Sequence, residues 1–320
     1  MTQPLIIVPG GLNTDIIGLG VERLLQPGEL TLGGELRVGP GGKARNMAQM
    51  AAAFLGKDQV AMIGRSSKDP FGLWKIPIEA LKNAGVDTSF VKIYDFHTAG
   101  NKFPGIALIP VDRQGRNQIY VLPGVNADFG IEDIEDASPL FENPQSRKVL
   151  MMALEIPLTT AQYAIDKAAK NNIKVILDPG GISHPIDELL NENIFLIKPN
   201  EHETQILTGI PVSDFQSAKN AAEKLLDKGI QNVLITHGFR GGYFFNGDIH
   251  EHFPPPSLPP GEIRDETGCG DQVTAIIAAL LTEDRPIEEV VRLAILSGTL
   301  QFQRAGIQPI TREDLFGFQG

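Results

Sequence analysis

The stretch Asp265-Glu266-Thr267-Gly268-Cys269-Gly270-Asp271 leads without a break into apolar residues of helical period. These residues are Val273, Ile276, Ile277, Leu280 and Leu281, which fall on one face of a helix. The glycines therefore lie at a predicted helix N-terminus, where unpaired backbone N–H groups and missing Cβ atoms form a pocket for an anion, usually a phosphate. A plain capped helix uses the same residue types, so the stretch alone leaves that alternative open.

Asp271 stands in the first turn of this predicted helix, where its negative charge opposes a bound phosphate. The position is explained if the carboxylate is a general base, which takes a proton from an attacking hydroxyl while nearby N–H groups stabilise the charge on a transferred phosphoryl group. Cys269, the only cysteine, is interpreted as a small packing residue without chemistry. The sequence contains neither the P-loop motif nor the glycine motif of dinucleotide-binding dehydrogenases.

Farther upstream, polar side chains follow the first predicted strand, Leu5-Ile6-Ile7-Val8. Asn13 and Asp15 occupy alternate positions of an extended segment, so their side chains point to the same face. The turn Gly39-Pro40-Gly41-Gly42-Lys43 then precedes a helix with Asn46 in its first turn. Amides and a carboxylate beside a tight glycine turn suit a polyhydroxylated ligand, although turns also favour each of these residue types.

Around these motifs, short apolar strands alternate with helical stripes, which predicts an α/β fold with a mostly parallel sheet between helices. Two segments, residues 13–38 and 102–122, break the alternation because each contains strands with no helix between them. We predict that they form one small separate sheet, a lid over a ligand; edge strands extending the main sheet are the alternative. The predicted core comprises residues 1–14, 41–98 and 123–320, and the predicted lid residues 15–40 and 99–122.

The two glycine motifs resemble the signatures of the ribokinase (PfkB) family of carbohydrate kinases. Gly41-Gly42-Lys43-Ala44-Arg45-Asn46 is similar to the family's G-G-K-x-x-N sugar signature, and Asp265 to Asp271 is similar to its D-x-x-x-x-G-D signature. Intermediate stretches follow in family order at residues 105–109, 124–127, 154–157, 199–203 and 235–241. The resemblance implies a three-layer α/β/α domain with a small β-sheet lid.

The resemblance also implies a role for each matching residue. Asp271 matches the catalytic base, and Gly268 and Gly270 match the anion hole. The positions that match sugar-binding residues are Asn13, Asp15, Gly41, Gly42, Lys43, Asn46, Glu155 and Asp271 itself. The positions that match the nucleotide site, with ATP as the implied nucleotide, are Asn200, Thr236, Gly238, Gly241 and Gly270.

Two metal sites follow from the same resemblance. Asn200 and Glu203 match a pair that organises magnesium and the phosphates, largely through water. The groups that match a site for a monovalent cation such as K⁺, which orders the anion hole, are Asp265, Thr267 and the carbonyls of Gln301, Arg304 and Gly306. The sequence departs from the family pattern at Ile310, which replaces a hydroxyl residue near that cation. It also departs at Ala44, where a third glycine is usual, and at Arg45, where a small residue is usual, and the two departures predict a narrower or more cationic sugar pocket.

The predicted activity is transfer of the γ-phosphoryl group of ATP to a primary hydroxyl of a small sugar, with ribose as the first expectation. Fructose, 2-keto-3-deoxygluconate, a nucleoside or a sugar phosphate are the alternatives, since Lys43, Arg45 and Lys102 could supply cations for a phosphorylated acceptor. A sugar sensor without catalysis is disfavoured, because binding alone does not require a base at Asp271. The resemblance further implies a homodimer formed through the lid.

Composition restricts the remaining possibilities. The 320-residue chain carries 28 basic and 39 acidic side chains, and its net charge of −11 argues against nucleic acid and anionic lipid as partners. No stretch approaches the roughly 18 apolar residues of a membrane-spanning helix. The first residues contain no basic start or cleavage site, so we expect a cytoplasmic protein. A single cysteine excludes an internal disulfide.

Overall fold

The computed structural model describes residues 3–142, 147–257 and 265–318. Within these ranges, thirteen strands form a main sheet of nine strands and a small sheet of four. The strands are β1 (Ile6–Pro9), β2 (Asn13–Val21), β3 (Glu35–Gly41), β4 (Val60–Lys68), β5 (Asp87–Asp95), β6 (Gly105–Asp112), β7 (Tyr120–Leu122), β8 (Val149–Ala153), β9 (Lys174–Asp178), β10 (Leu196–Ile197), β11 (Asn232–Thr236), β12 (Gly242–Phe245) and β13 (His250–Phe253). The helices are α1 (Lys43–Leu55), α2 (Lys75–Asn83), α3 (Ile131–Asp136), α4 (Leu158–Lys170), α5 (Glu201–Thr208), α6 (Phe215–Leu226), α7 (Cys269–Leu281), α8 (Ile287–Gln301) and α9 (Arg312–Phe316).

The main sheet has the strand order β13-β12-β11-β10-β9-β8-β1-β4-β5. Its strands pair in parallel from β11 to β5, and only β12 and β13 at one edge are antiparallel. Both faces are buried: Ile6 and Val8 of β1 enter one hydrophobic cluster, while Ile7 enters the cluster on the opposite face. A sheet covered by helices on both sides confirms the predicted three-layer α/β/α architecture.

Helix α7 is the most deeply placed element of one helical layer. It packs against α1 and α8, and every residue from Asp271 to Leu281 is buried. Because the helix is buried on all sides and mostly apolar, packing against its neighbours fixes its orientation. The N-terminal turn is therefore held in one position. With 13 residues it is also short, and within the described residues no helix is long and apolar enough to cross a membrane.

The small sheet is separate from the main sheet and has the order β3-β2-β6-β7. Strands β2 and β6 pair in parallel, whereas β2–β3 and β6–β7 are antiparallel, so the sheet is mixed. The prediction of one small separate sheet is confirmed, and the alternative of edge strands extending the main sheet is wrong. Strand β2 already begins at Asn13 and β3 ends at Gly41; the division of the chain into core and lid segments stays a prediction.

Candidate active site

The predicted anion pocket lies at the start of α7. Gly268 is the N-cap residue, and its φ of 74° is in the left-handed region that glycine adopts without strain. The helix begins at Cys269, so the backbone N–H groups of its first turn have no helical acceptor. Asp271 lies in this first turn and is only 6% exposed. The N–H of Cys269 donates to the carbonyl of Glu266 at 3.2 Å, so the donors that share this helix end with the Asp271 carboxylate are the N–H groups of Gly270 and Asp271.

Helix α1 supplies both direct partners of Asp271. The Nδ2 of Asn46 donates a hydrogen bond of 2.8 Å to Oδ2 of Asp271, across 225 positions of sequence. The Nζ of Lys43 lies 3.8 Å from Oδ1 of Asp271, and the charge of that carboxylate raises the pKa of Lys43 above its ordinary value. Lys43 and Asn46 are three residues apart and therefore share a helix face. The sugar signature and the C-terminal signature meet at this carboxylate.

Glu155 fixes the start of α1 from the other side. It follows strand β8, and its Oε2 accepts a hydrogen bond of 2.9 Å from the backbone N–H of Lys43. Burial raises the pKa of the Glu155 carboxyl, an effect that the hydrogen bond from Lys43 opposes. Glu155 is thus joined to Lys43, and its role in binding a sugar stays a prediction.

Asn13 and Asp15 lie two positions apart in β2, so their side chains share one face of the strand, as the sequence predicts. Asn13 is buried, and its Oδ1 accepts a hydrogen bond of 2.8 Å from Nδ2 of Asn126. Asn126 also bonds the backbone of Leu12 through both ends of its amide, at 3.3 Å each. Asn126 orients Asn13, yet it was not among the predicted site residues. In the sequence, only its place in the stretch 124–127, which matches the order of the family's motifs, indicates that it belongs to the site.

Among the residues predicted to bind the sugar, Asp15 has a carboxyl whose pKa is raised toward physiological pH. Burial raises its pKa from 3.8 to about 6; the Arg45 charge opposes this rise, and the Asp271 charge adds to it. An ionised carboxylate accepts hydrogen bonds from two hydroxyl groups, whereas the protonated form loses part of that capacity. The charge of Asp15 therefore makes any polyol bound here sensitive to pH.

We expect the KM for the sugar to rise as the pH falls through about 6, by about tenfold per unit if only ionised Asp15 binds. The free energy of unfolding should also increase as the pH falls, so that the fold is stabilised while sugar binding weakens. Since the folded-state pKa lies above 3.8, the folded protein holds this proton more tightly, and the contribution to the free energy of unfolding grows from pH 7 toward pH 4. Initial rates and thermal melts across pH 5–8 check both trends. In Asp15→Asn the acidic rise in KM should disappear; its persistence there would assign it to another group.

Arg45 does not have the predicted position in the sugar pocket. The side chain is completely buried, and its guanidinium donates to the carbonyls of Pro40 (2.7 Å) and Gly41 (3.3 Å). It also bonds the side chains of Asn46 and Gln49. Burial lowers the pKa of Arg45 to about 10. The expectation of a more cationic pocket wall is therefore wrong, because Arg45 supports the end of β3 and Asn46 from behind.

A cleft of about 1010 Å³ opens beside the start of α7. It extends to the loop between β11 and β12, where Gly238 and Gly241 flank a short 3-10 turn. The cleft is lined by all five residues predicted for the nucleotide and by both glycines of the anion hole, with Asp271 and Lys43 at one end: Lys43, Asn200, Thr236, Gly238, Gly241, Gly268, Gly270 and Asp271. The volume and the polar end are suited to a nucleotide.

A buried ion pair lies at the floor of this cleft. The Nζ of Lys198 is 2.9 Å from Oδ2 of Asp178, and both side chains are at most 3% exposed. Thr274 of α7 donates to the same carboxylate oxygen at 3.0 Å. Burial opposes ionisation of Asp178, but the charge of Lys198 holds the pKa of its carboxyl below the usual value. Neither residue of this pair is among the predicted site residues. In the sequence, only the position of Lys198 beside the 199–203 stretch and that of Asp178 at the end of a predicted strand indicate that they belong to the site.

Asn200 and Glu203 form a reciprocal cap at the start of α5. Oδ1 of Asn200 accepts from the N–H of Glu203 at 2.8 Å, and Oε2 of Glu203 accepts from the N–H of Asn200 at 2.9 Å. Burial, with the nearby Asp178 carboxylate, raises the pKa of Glu203. Within the described residues no group of three or more acidic, histidine or cysteine side chains could hold a metal ion. That this pair organises magnesium through water stays a prediction.

The groups matched to a monovalent cation are already hydrogen bonded within the protein. The two Asp265 oxygens accept from the N–H groups of Thr267 and Gly306, each at 2.8 Å. The carbonyls of Thr267 and Gly306 both accept from the side-chain amide of Gln301. These oxygens do not fit a cation, since each already accepts a hydrogen bond and the Gln301 amide stands between the carbonyls of Thr267 and Gly306. Nearby, burial raises the pKa of the Cys269 thiol to about 12, so the thiol is protonated at neutral pH.

Comparison with known proteins agrees with this geometry. Residues 3–314 match the family described as pfkB family carbohydrate kinase. The chain is 30% identical to the ribokinase of Haemophilus influenzae over 318 residues, which cover 98% of this chain and 97% of that protein. It is 27% identical to the deoxyribokinase of Salmonella typhi, covering 95% and 94%. The structure of Arabidopsis thaliana ribokinase complexed with ribose and ATP is similar with a TM-score of 0.83 and 27% identity, covering 99% of this chain and 98% of that one.

Proposed function

The chain belongs to the pfkB family of carbohydrate kinases and is a sugar-phosphorylating phosphotransferase, and on that premise we propose that it transfers the γ-phosphoryl group of ATP to the primary hydroxyl of ribose. One observation carries the proposal. The hydrogen bond of 2.8 Å from Asn46 to Asp271 joins the residues predicted to bind the sugar, here called the sugar-side group (Asn13, Asp15, Gly41, Gly42, Lys43, Asn46 and Glu155), to a carboxylate. That carboxylate lies at the helix end that borders the cleft. A hydroxyl held by the sugar-side group would meet a phosphoryl group at that point.

In the proposed reaction Asp271 accepts the proton of the attacking hydroxyl. Asn46 holds one oxygen of the carboxylate, and this leaves the oxygen that faces Lys43 nearer to a substrate hydroxyl. The first-turn N–H groups behind Gly268 and Gly270 stabilise the negative charge on the transferred phosphoryl group. Lys43 adds a positive charge beside the same place, so both the base and the charge stabilisation come from the two signatures.

The nucleotide is proposed to lie in the cleft with its phosphates toward Gly270 and its base toward Thr236, Gly238 and Gly241. Magnesium, when bound to the phosphates, would add positive charge to that of the lysines in the cleft. In the described part of the chain the lysines lining the cleft, Lys43 and Lys198, each face a carboxylate. Asn200 and Glu203 would hold the ion's water shell.

An unphosphorylated acceptor is favoured over a sugar phosphate. Of the three cations that could have bound a second phosphate, Lys43 faces Asp271 and Arg45 is buried against backbone carbonyls. Lys102 bonds both oxygens of Asp128, at 2.6 and 2.7 Å. The remaining polar groups of the site are amides and carboxylates, which are typical of neutral polyol recognition. The name ribokinase among the relatives supports ribose, and the name deoxyribokinase sets the main competitor.

The acceptor is tested by ADP release with Mg·ATP across ribose, 2-deoxyribose, fructose, 2-keto-3-deoxygluconate, a nucleoside and ribose 5-phosphate. We expect the highest kcat/KM for ribose, with 2-deoxyribose next. A higher value for 2-deoxyribose would reassign the acceptor within the same reaction. Absence of turnover with every acceptor, from protein that still binds ATP, would contradict the kinase proposal and favour a sugar sensor.

We also propose that the small sheet acts as a lid over the sugar and joins two copies of the chain. Val38, Ile16, Leu108 and Tyr120 are paired in register across its four strands, so their side chains share one face. Asp15 lies on the opposite face, toward the sugar-side residues. Within the described residues the apolar face is left open: Leu36 is 71% exposed and Tyr120 55%. An open apolar sheet face of this kind is typical of an interface.

Leu108→Glu should convert a dimer into a monomer, because it places a charge in the centre of this face. Ile131→Glu is the matched control, since Ile131 is similarly exposed (42% against 39% for Leu108) but lies at the start of α3. Light scattering after size-exclusion chromatography measures the mass. The face proposed here is not the interface if wild-type protein is monomeric, or if Leu108→Glu remains as dimeric as the control.

A further inference from the structure

The loop that precedes α7 is tied to the segment after α8 by a closed set of hydrogen bonds. The N–H of Asp265 donates to the carbonyl of Phe302 at 3.0 Å. The Asp265 carboxylate then bonds the N–H groups of Thr267 and Gly306 through different oxygens. Thr267 immediately precedes Gly268, the N-cap of α7, so these bonds position the predicted anion pocket.

Gln301, the last residue of α8, completes this set from within. Its side chain is fully buried, and Nε2 donates to the carbonyl of Gly306 at 2.6 Å and to that of Thr267 at 3.4 Å. An amide nitrogen has two N–H donors, and here two carbonyls accept them. Oε1 has no hydrogen-bond partner among the described residues. The two acceptors fix the orientation of the amide, because the reverse orientation would bring three oxygens together without a positive charge.

A second position near the loop, residue 310, has an aliphatic side chain where the family pattern has a hydroxyl residue. Ile310 is completely buried, and its side chain offers no oxygen; its backbone N–H donates to Oε1 of Gln272 at 3.0 Å. The carbonyl of Gln301 itself accepts from the N–H of Arg304 at 2.9 Å. A monovalent cation needs several oxygens that converge on one empty space. Here one candidate ligand is an aliphatic side chain, and an amide group stands between two of the others.

We propose that the Gln301 amide takes the place of a monovalent cation, so that the anion pocket is ordered without K⁺ or Na⁺. The partial positive charge of the N–H groups attracts the carbonyls of Thr267 and Gly306, as a cation would, and the covalent tether to α8 makes the contact permanent. Phosphoryl transfer by this chain is then independent of monovalent cations. The inference deepens the proposed kinase function and uses its rate as one of two readouts.

The test compares wild-type protein with Gln301→Ala at 0 and 100 mM KCl, with tetramethylammonium chloride keeping the ionic strength constant. Sugar-dependent ADP release gives the rate, and a thermal melt gives a readout that needs no sugar. For wild-type protein we expect less than a twofold change in rate and no shift in Tm. For Gln301→Ala without K⁺ we expect at least a tenfold loss of rate and a lower Tm, both restored in part by K⁺, because the freed carbonyls can now receive the ion.

Two results would overturn the inference. One is a wild-type rate or Tm that rises clearly with KCl, accompanied in crystals soaked with Tl⁺ by an ion between the carbonyls of Thr267 and Gly306. The other is Gln301→Ala that keeps the wild-type rate and Tm without K⁺, since the amide would then have no ordering role. If no sugar is phosphorylated, the proposed function fails, whereas the melts and the Tl⁺ soak still decide the inference.

Discussion

Asp271→Asn should lower kcat by about 10²–10⁴-fold, the range expected when a general base is removed. The amide keeps an oxygen that can accept the 2.8 Å hydrogen bond from Asn46, so the geometry of the site is preserved. It cannot accept the proton of a sugar hydroxyl. ATP binding should change little, because the first-turn N–H groups of α7 remain in place. Single-turnover rates and calorimetric titration of a non-hydrolysable ATP analogue separate the two effects.

Asp248→Asn provides the matched control for this change. Asp248 is exposed in the turn between β12 and β13, belongs to neither signature and does not line the cleft, and the substitution removes the same charge. Its rate should equal that of the wild-type protein. An Asp271→Asn variant that retains near-normal turnover would remove Asp271 from the mechanism.

Gly41→Ala should raise the KM for the sugar by about 10²-fold, because the new methyl group and the Asp15 carboxylate cannot occupy the same space. A Cβ at position 41 would lie 1.8 Å from Oδ1 and 2.2 Å from Cγ of Asp15. The carboxylate must rotate away and lose its charge-assisted hydrogen bonds to sugar hydroxyls, each of which contributes about 1.5–3 kcal/mol. ATP affinity should not change, since Gly41 does not line the cleft. Sugar and nucleotide titrations measured separately check this.

Gly39→Ala is the control on the same strand. Gly39 pairs directly with Asp15 in the register of β2 and β3, yet a Cβ there has no atom within 4 Å. The substitution also leaves the backbone in an ordinary conformation. An equal increase in KM for both variants would mean that loss of strand flexibility, and not displacement of Asp15, is responsible.

The sequence predicted the parts of the site that depend on backbone pattern. The start of α7 at Cys269 follows from glycines before an apolar helical stripe, and the common face of Asn13 and Asp15 follows from strand alternation. The meeting of Asn46 with Asp271 could be expected only through the family resemblance, because no local rule relates residues 225 positions apart.

The parts that were missed depend on where individual side chains turn. Arg45 belongs to the sugar signature, but it immediately precedes Asn46 and therefore does not share the helix face of Lys43 and Asn46. Its side chain is buried against the carbonyls at the end of β3. Lys198 and Asp178 are single charged residues in strand regions, and only the packing of β9 beside β10 brings them together. For Gln301 the sequence indicated a backbone carbonyl, whereas the side chain determines the contact.

Phosphorus NMR of the product formed from ribose and Mg·ATP tests the central claim most directly, because it reports both the transfer and the hydroxyl that receives the phosphoryl group. A phosphate on the primary hydroxyl couples to the two protons of its CH₂ group and gives a triplet in the proton-coupled spectrum. We expect this triplet to grow as ATP is consumed with wild-type protein and to be nearly absent with Asp271→Asn. A doublet, which reports phosphate on a carbon that carries one hydrogen (the anomeric carbon or a secondary alcohol), or ATP that stays unconsumed beside ribose, would contradict the account.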